Sequence, residues 1–143
     1  MIRLADIHLL IALADPNHAY HGAARTWLMA RPQTGLATCA LTESGFLRIY
    51  GHPSYPRGPG SPEKALLDLK AYRGRSGHQF LTCDLSLDDP IFRSLYGLTP
   101  KQITDCYLLG LAGKYGIRFA TFDTTIPVRL VKGGAQALEV VPV

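Results

Sequence analysis

TPKQITDCYLLGLAGKYGIRFATFD, residues 99–123, predicts a helix, a tight turn and a buried strand in succession. Thr99 suits the N-cap and Pro100 suits the first helical position. Apolar residues then recur at helical spacing until Gly116, which is expected to end the helix in the left-handed conformation. The apolar residues that follow predict a strand that ends on Asp123.

Asp105 is the informative residue of this helix. Residues three, four and seven positions further on are Leu108, Leu109 and Ala112, so Asp105 is predicted to lie on the apolar stripe. A carboxylate in that position loses much of its water and needs a partner, for which a cation is a candidate.

The rest of the chain repeats the alternation of strand and helix. Strands are predicted at 2–5, 36–40, 77–83, 117–123 and 138–141, helices at 8–14, 18–31, 43–50, 62–72, 84–96 and 100–115, a turn at 32–35 and one or two helical turns at 126–131. This order predicts an α/β domain with a central, mainly parallel sheet and helices on both faces. The length of 143 residues suits a single domain over 1–143.

Composition narrows the functional classes. The net charge of +4 is compatible with nucleic-acid binding without establishing it. Cys39, Cys83 and Cys106 have no zinc-site spacing and are expected to be small buried side chains in a reducing cytoplasm. The apolar run 9–14 is too short to span a bilayer, and no signal peptide is recognised, so no membrane association is expected.

Four acids are expected to meet at one edge of the sheet. Asp6 ends the first strand and Asp123 ends the fourth, while Glu43 and Asp105 lie near the starts of helices that follow the same edge. Either helical acid alone is explained equally well by the helix macrodipole. Four clustered carboxylates would repel one another unless cations lay between them, which predicts a Mg²⁺ or Mn²⁺ site suited to phosphodiester hydrolysis.

Four blocks of this sequence resemble PIN-domain ribonucleases, and in particular the VapC toxins of toxin–antitoxin modules. They are LADIHLLIAL (4–13), LTESGFLRI (41–49), TDCYLLGLA (104–112) and ATFD (120–123). The resemblance implies a PIN-like, Rossmann-like three-layer domain that cleaves RNA endonucleolytically with Mg²⁺ or Mn²⁺. It implies Asp6, Glu43, Asp105 and Asp123 as the metal-binding and catalytic acids. It also implies a homodimer and a cognate VapB-like antitoxin.

Two positions depart from the family pattern. His8 stands where an asparagine is common, and Thr124 and Thr125 stand where a basic residue is common; Thr125 is expected to hydrogen-bond a carboxylate or a water. His8 leaves open a catalytically inactive, PIN-like module that binds RNA or protein. A small phosphohydrolase is a weaker alternative, because the chain has neither an Asp-x-Asp pair at the first strand nor a glycine-rich phosphate loop. Arg48 either contacts substrate phosphate or pairs with an acid.

Overall fold

The computed structural model describes residues 1–32 and 35–143, and the residues it describes form a parallel sheet covered by helices on both faces. The strands are β1 (Arg3–Ala5), β2 (Leu36–Cys39), β3 (Gln79–Leu81), β4 (Arg118–Thr121) and β5 (Leu138–Val140). The helices are α1 (Ile7–Ala14), α2 (His21–Met29), α3 (Ala40–Tyr50), α4 (Pro62–Arg73), α5 (Pro100–Lys114) and α6 (Gly134–Ala137), with a 3₁₀ turn at Val128–Leu130.

The sheet separates two hydrophobic cores. On one face α1, α2, α3 and α4 bury side chains such as Leu10, Phe46 and Leu69 against it. On the other face α5 and α6 bury Leu108 and Phe119, among others. This arrangement confirms the predicted three-layer α/β architecture with a central parallel sheet.

The strand order is β3–β2–β1–β4–β5, and every pairing is parallel. The chain therefore adds β2 and β3 on one side of β1, then crosses over to add β4 and β5 on the other. In such sheets a crevice opens at the carboxyl ends of the two strands where the order reverses. Here those strands are β1 and β4, which Asp6 and Asp123 follow in the sequence.

Helix α5 forms as its sequence predicts. The Thr99 backbone N–H donates to Gln102 Oε1 at 3.1 Å, Pro100 occupies the first turn, and Gly116 adopts φ +68° after the last turn. The strand that follows is shorter than predicted, because β4 ends at Thr121 and leaves Asp123 in the connection beyond it.

One predicted helix is absent, and the predicted starts of two others are wrong. No helix forms at 84–96, where Pro90 lacks a backbone donor and the side chains of Ser86 and Asp89 accept hydrogen bonds from nearby backbone N–H groups instead. Helix α2 begins at His21 rather than at residue 18. Helix α3 begins at Ala40 rather than at residue 43.

The chain turns again after the 3₁₀ segment. Gly133 adopts φ +68°, and the short helix α6 begins directly after it. The turn predicted at 32–35 includes residues 33 and 34, which lie outside the described residues.

Glu139 in β5 forms hydrogen bonds with side chains of helix α2 and strand β1. Its Oε2 accepts a hydrogen bond from Trp27 Nε1 at 2.7 Å, and its Oε1 accepts one from Arg3 Nε at 3.0 Å. Burial alone would raise the pKa of Glu139, but these donors and the nearby Arg31 hold it below its ordinary value. Trp27 is consequently a buried core residue.

Cys39, Cys83 and Cys106 are all free thiols; Cys39 and Cys106 are buried as expected, whereas Cys83 is only partly buried. Within the described ranges, no helix is both long and apolar enough to cross a lipid bilayer.

Candidate active site

A cavity of about 620 Å³ opens at the carboxyl ends of β1 and β4. Three acids from distant parts of the chain line it: Asp6 after β1, Asp105 in the second turn of α5, and Asp123 after β4. We call it the aspartate cavity. Its other lining residues are Ile7, His8, His18, Tyr20, Arg48, Ile49, Lys101, Thr104, Thr121 and Phe122.

Asp6 is held rigidly at the N-terminus of α1. Its side chain is 5% exposed; Oδ1 accepts the Ile7 N–H at 2.7 Å and Oδ2 accepts the Thr121 hydroxyl at 2.6 Å. Burial raises the pKa of Asp6, while these two hydrogen bonds oppose the rise. The carboxylate thus has a fixed position at the base of the crevice.

Thr121 joins two of the acids through one buried hydroxyl. While it donates to Asp6, its Oγ1 accepts the Asp123 backbone N–H at 3.1 Å. Sequence reasoning missed this residue. The available signal was a lone hydroxyl in an apolar strand, two residues before the acid that follows that strand.

Asp123 is fixed from its other side by Thr125. The backbone N–H and the hydroxyl of Thr125 both donate to Asp123 Oδ1, each at 2.7 Å. Of the two partners expected for Thr125, the carboxylate is the one observed.

The pKa of Asp105 is raised by its surroundings in the cavity. Burial, together with the negative charges of Asp6 and Asp123, raises its pKa to about 7. Asp105 is half-buried, so its side chain has lost part of its water. Its pKa also indicates that the three carboxylates are close enough to repel one another.

Glu43 lies apart from this group and does not line the aspartate cavity. Its Oε2 accepts the Thr38 hydroxyl at 2.7 Å, and its Oε1 lies 3.5 Å from a guanidinium nitrogen of Arg73. Thr38 Oγ1 also lies 2.9 Å from His78 Nε2. The structure therefore brings together three of the four predicted acids and engages the fourth in a polar cluster beside β2.

The chemistry of the cavity suits a hard divalent cation. No three His, Cys, Asp or Glu side chains within 1–32 and 35–143 form a ready-made ligand cluster. Mg²⁺, however, keeps several waters and is commonly bound through only one or two carboxylates. Three carboxylates on one cavity, one of them with a strongly raised pKa, supply oxygen ligands whose repulsion a cation would relieve.

Positive side chains line the same cavity. Arg48 comes from α3 and Lys101 from the first turn of α5, so cationic groups reach the cavity from both faces of the sheet. The position of Arg48 favours contact with a substrate phosphate, one of its two predicted roles. Carboxylates beside cations are the combination expected where a metal ion and an anionic substrate meet.

The fold and this site define a class: a PIN-like α/β domain with carboxylates at the point where strand order reverses. No model of a known protein family matches the chain. It is 37% identical over 137 residues to Ribonuclease VapC44 of Mycobacterium tuberculosis, an alignment covering 95% of this chain and 96% of the relative. It is 38% identical to Ribonuclease VapC38 of the same organism (86% of each chain) and 34% identical to Ribonuclease VapC39 (88% and 91%). The chain belongs to the VapC ribonuclease family.

Proposed function

We propose that this protein is a metal-dependent endoribonuclease that hydrolyses RNA phosphodiester bonds and acts as the toxin of a type II toxin–antitoxin module. The observation that carries the proposal is the meeting of Asp6, Asp105 and Asp123 in one cavity, because a bound cation would offset the burial and mutual repulsion of their charges, which raise the pKa of Asp105. Membership of a ribonuclease family supports RNA as the substrate.

The chain's own residues have distinct roles in this proposal. Asp6 and Asp123, held by threonine hydroxyls, present oxygen ligands in fixed positions, which reduces reorganisation during the reaction. Arg48 and Lys101 bind phosphate oxygens of the substrate. A bound Mg²⁺ or Mn²⁺ supplies Lewis-acid activation of water and of the phosphate.

Glu43 is proposed as the fourth acid of the site on the strength of the family resemblance. Its hydrogen bond to Thr38 and ion pair with Arg73 would have to be exchanged for a role at the cavity. We therefore expect Glu43→Gln to reduce cleavage less severely than Asp6→Asn or Asp105→Asn.

The decisive experiment measures cleavage of RNA by purified protein with Mg²⁺ or Mn²⁺ and with EDTA. Wild type is expected to cut only with the metal, and Asp6→Asn and Asp105→Asn to lose both cleavage and growth inhibition. Asp88→Asn is the matched control, because Asp88 is an exposed acid outside the aspartate cavity. Cleavage that survives both active-site substitutions would refute the proposal.

A non-catalytic module that binds RNA or protein remains the second candidate, and the engagement of Glu43 with Arg73 is the observation that favours it. Calorimetric titration with Mn²⁺ separates the two functions. A nuclease should take up Mn²⁺ in wild type and lose that uptake in Asp105→Asn, whereas a binding module should show no carboxylate-dependent uptake.

The same proposal includes two protein partners and a location. Membership of the VapC family supports a cognate VapB-like antitoxin. A homodimer and a cytoplasmic site of action are further parts of the proposal. Light scattering of the purified chain tests the homodimer. Co-expression with the product of a neighbouring small reading frame tests the antitoxin, which should abolish growth inhibition.

A further inference from the structure

One wall of the aspartate cavity is aromatic. The Tyr20 ring lies 5.0 Å from the Phe122 ring, centroid to centroid, with the planes tilted by 52°. The His18 ring lies 5.9 Å from Tyr20 on a similar tilt. All three residues line the cavity that holds the three aspartates, and Phe122 directly precedes Asp123 in the chain.

This wall is held in place by the connection between α1 and α2. The Tyr20 backbone N–H donates to His18 Nδ1 at 3.0 Å, and a ring nitrogen of His21 lies 2.7 Å from the carbonyl oxygen of Ala12 in α1. Tyr20 is nevertheless 42% exposed, because only part of its ring is covered by Phe122. A large aromatic surface is thus fixed in position and left open to the cavity.

The surroundings indicate what such a surface would bind. Arg48 and Lys101 line the same cavity and suit phosphate oxygens. Proteins that bind single-stranded nucleic acid combine cationic side chains, which follow the backbone, with aromatic side chains on which unpaired bases stack. A base inside a duplex is covered on both faces by its neighbours and cannot use such a platform.

We propose that Tyr20, supported by Phe122, is a stacking platform for an unpaired base adjacent to the phosphate held at the aspartate cavity, and so determines which position of the RNA is bound there. The proposal rests on the proposed ribonuclease function and adds a specificity-determining residue to it. The aromatic face does this, since the Tyr20 hydroxyl makes no hydrogen bond to any described residue.

The first assay measures, by fluorescence anisotropy in EDTA, how the full chain binds a single-stranded oligoribonucleotide and the corresponding duplex. The second assay measures steady-state cleavage of the same RNAs in Mn²⁺. Tyr20→Leu keeps an apolar side chain over Phe122 but removes the aromatic face, so it should weaken single-strand binding or raise KM at least about fivefold. Tyr20→Phe should stay within about twofold of wild type. Tyr96→Leu is the matched control, because Tyr96 is 90% exposed and lies outside the cavity. Circular dichroism and thermal unfolding verify that the variants are folded.

A scan of single abasic sites along the oligonucleotide tests the stacking itself. Wild type should lose affinity at one position beside the cleaved phosphate, and Tyr20→Leu should lose that sensitivity. Folded Tyr20→Leu that binds and cleaves like wild type, or that weakens single strand and duplex equally, overturns the platform while leaving the nuclease intact. Tyr20-dependent binding without cleavage would retain the platform and refute the nuclease. Absence of both binding and cleavage would refute both.

Discussion

Asp105→Asn is expected to stabilise the metal-free protein while it abolishes cleavage. The substitution keeps the size and shape of the side chain. It removes a negative charge that is disfavoured by burial and by repulsion from Asp6 and Asp123. A residue kept only for the fold would show the reverse, since most substitutions of partly buried residues lower the free energy of unfolding. Stability and activity should therefore move in opposite directions.

The magnitude follows from the pKa of Asp105. Its pKa of about 7 in the folded protein lies well above the ordinary value of 3.8. At a pH where the carboxyl is ionised in both the folded and the unfolded chain, this gap corresponds to a loss of about 4 kcal/mol in unfolding free energy. Asp105 is only half-buried, and water in the open cavity screens its charge. We therefore expect Asp105→Asn to raise the free energy of unfolding by roughly half of that amount, about 2 kcal/mol.

The sign of the pH dependence is fixed by the direction of the shift. Between about pH 4 and pH 7 the unfolded chain has ionised this carboxyl while the folded chain still binds its proton. The free energy of unfolding of the wild type therefore falls as pH rises through this window. Asp105→Asn lacks that fall, so it should match wild type near pH 4 and exceed it by about 2 kcal/mol at pH 8.

Urea unfolding in EDTA at steps from pH 4 to pH 8 measures both curves, with Asp88→Asn, an exposed acid, as the control. Adding Mn²⁺ at pH 8 should then stabilise wild type more than Asp105→Asn, because the ion binds the folded site. Parallel curves for wild type and Asp105→Asn across the whole range, or lower stability of the variant at pH 8, would refute the reasoning.

Three other substitutions test the packing and the hydrogen bonds around the site. Thr121→Val keeps the shape of the side chain but removes the donor to Asp6, so it should cost about 1–3 kcal/mol of unfolding free energy and lower kcat, both measurable on one preparation. Glu139→Ala leaves a buried indole N–H without its acceptor; we expect a loss of about 2–3 kcal/mol in urea unfolding with little change in kcat. Gly110→Ala would place a methyl group 2.5 Å from the Phe92 ring, and the overpacking should lower the free energy of unfolding by about 1–3 kcal/mol, read as a lower melting temperature.

The architecture could be predicted because its determinants are local. The helix start at Thr99 and Pro100 and the left-handed turn at Gly116 each depend on neighbours within one helical turn. Alternation of such helices with short apolar strands leaves a parallel sheet as the simplest arrangement. The helix predicted at 84–96 was wrong for a local reason too, because side-chain hydrogen bonds to the backbone replace the helical ones there.

The details of the site could not be predicted, because they depend on contacts between distant parts of the chain. Thr121 bonds Asp6, 115 residues away, through a register that only the pairing of β1 with β4 creates. Glu43 was placed on the correct helix, but Arg73 and Thr38 determine where its carboxylate lies. The sequence pattern of α3 does not reveal that Glu43 pairs with Arg73 at the end of α4.

Ion pairing distinguishes Glu43 and Glu139 from the three aspartates of the cavity. Glu139 and Glu43 each have a guanidinium group within 4.0 Å, which neutralises them without further help. Asp6, Asp105 and Asp123 form no ion pair with any described residue and are steadied, where they have hydrogen bonds, by neutral hydroxyl and backbone N–H groups. Neutral donors fix the position of a carboxylate but leave its charge in place. A divalent cation bound to these oxygens would balance their charge beside Arg48 and Lys101, which supports the proposed metal site.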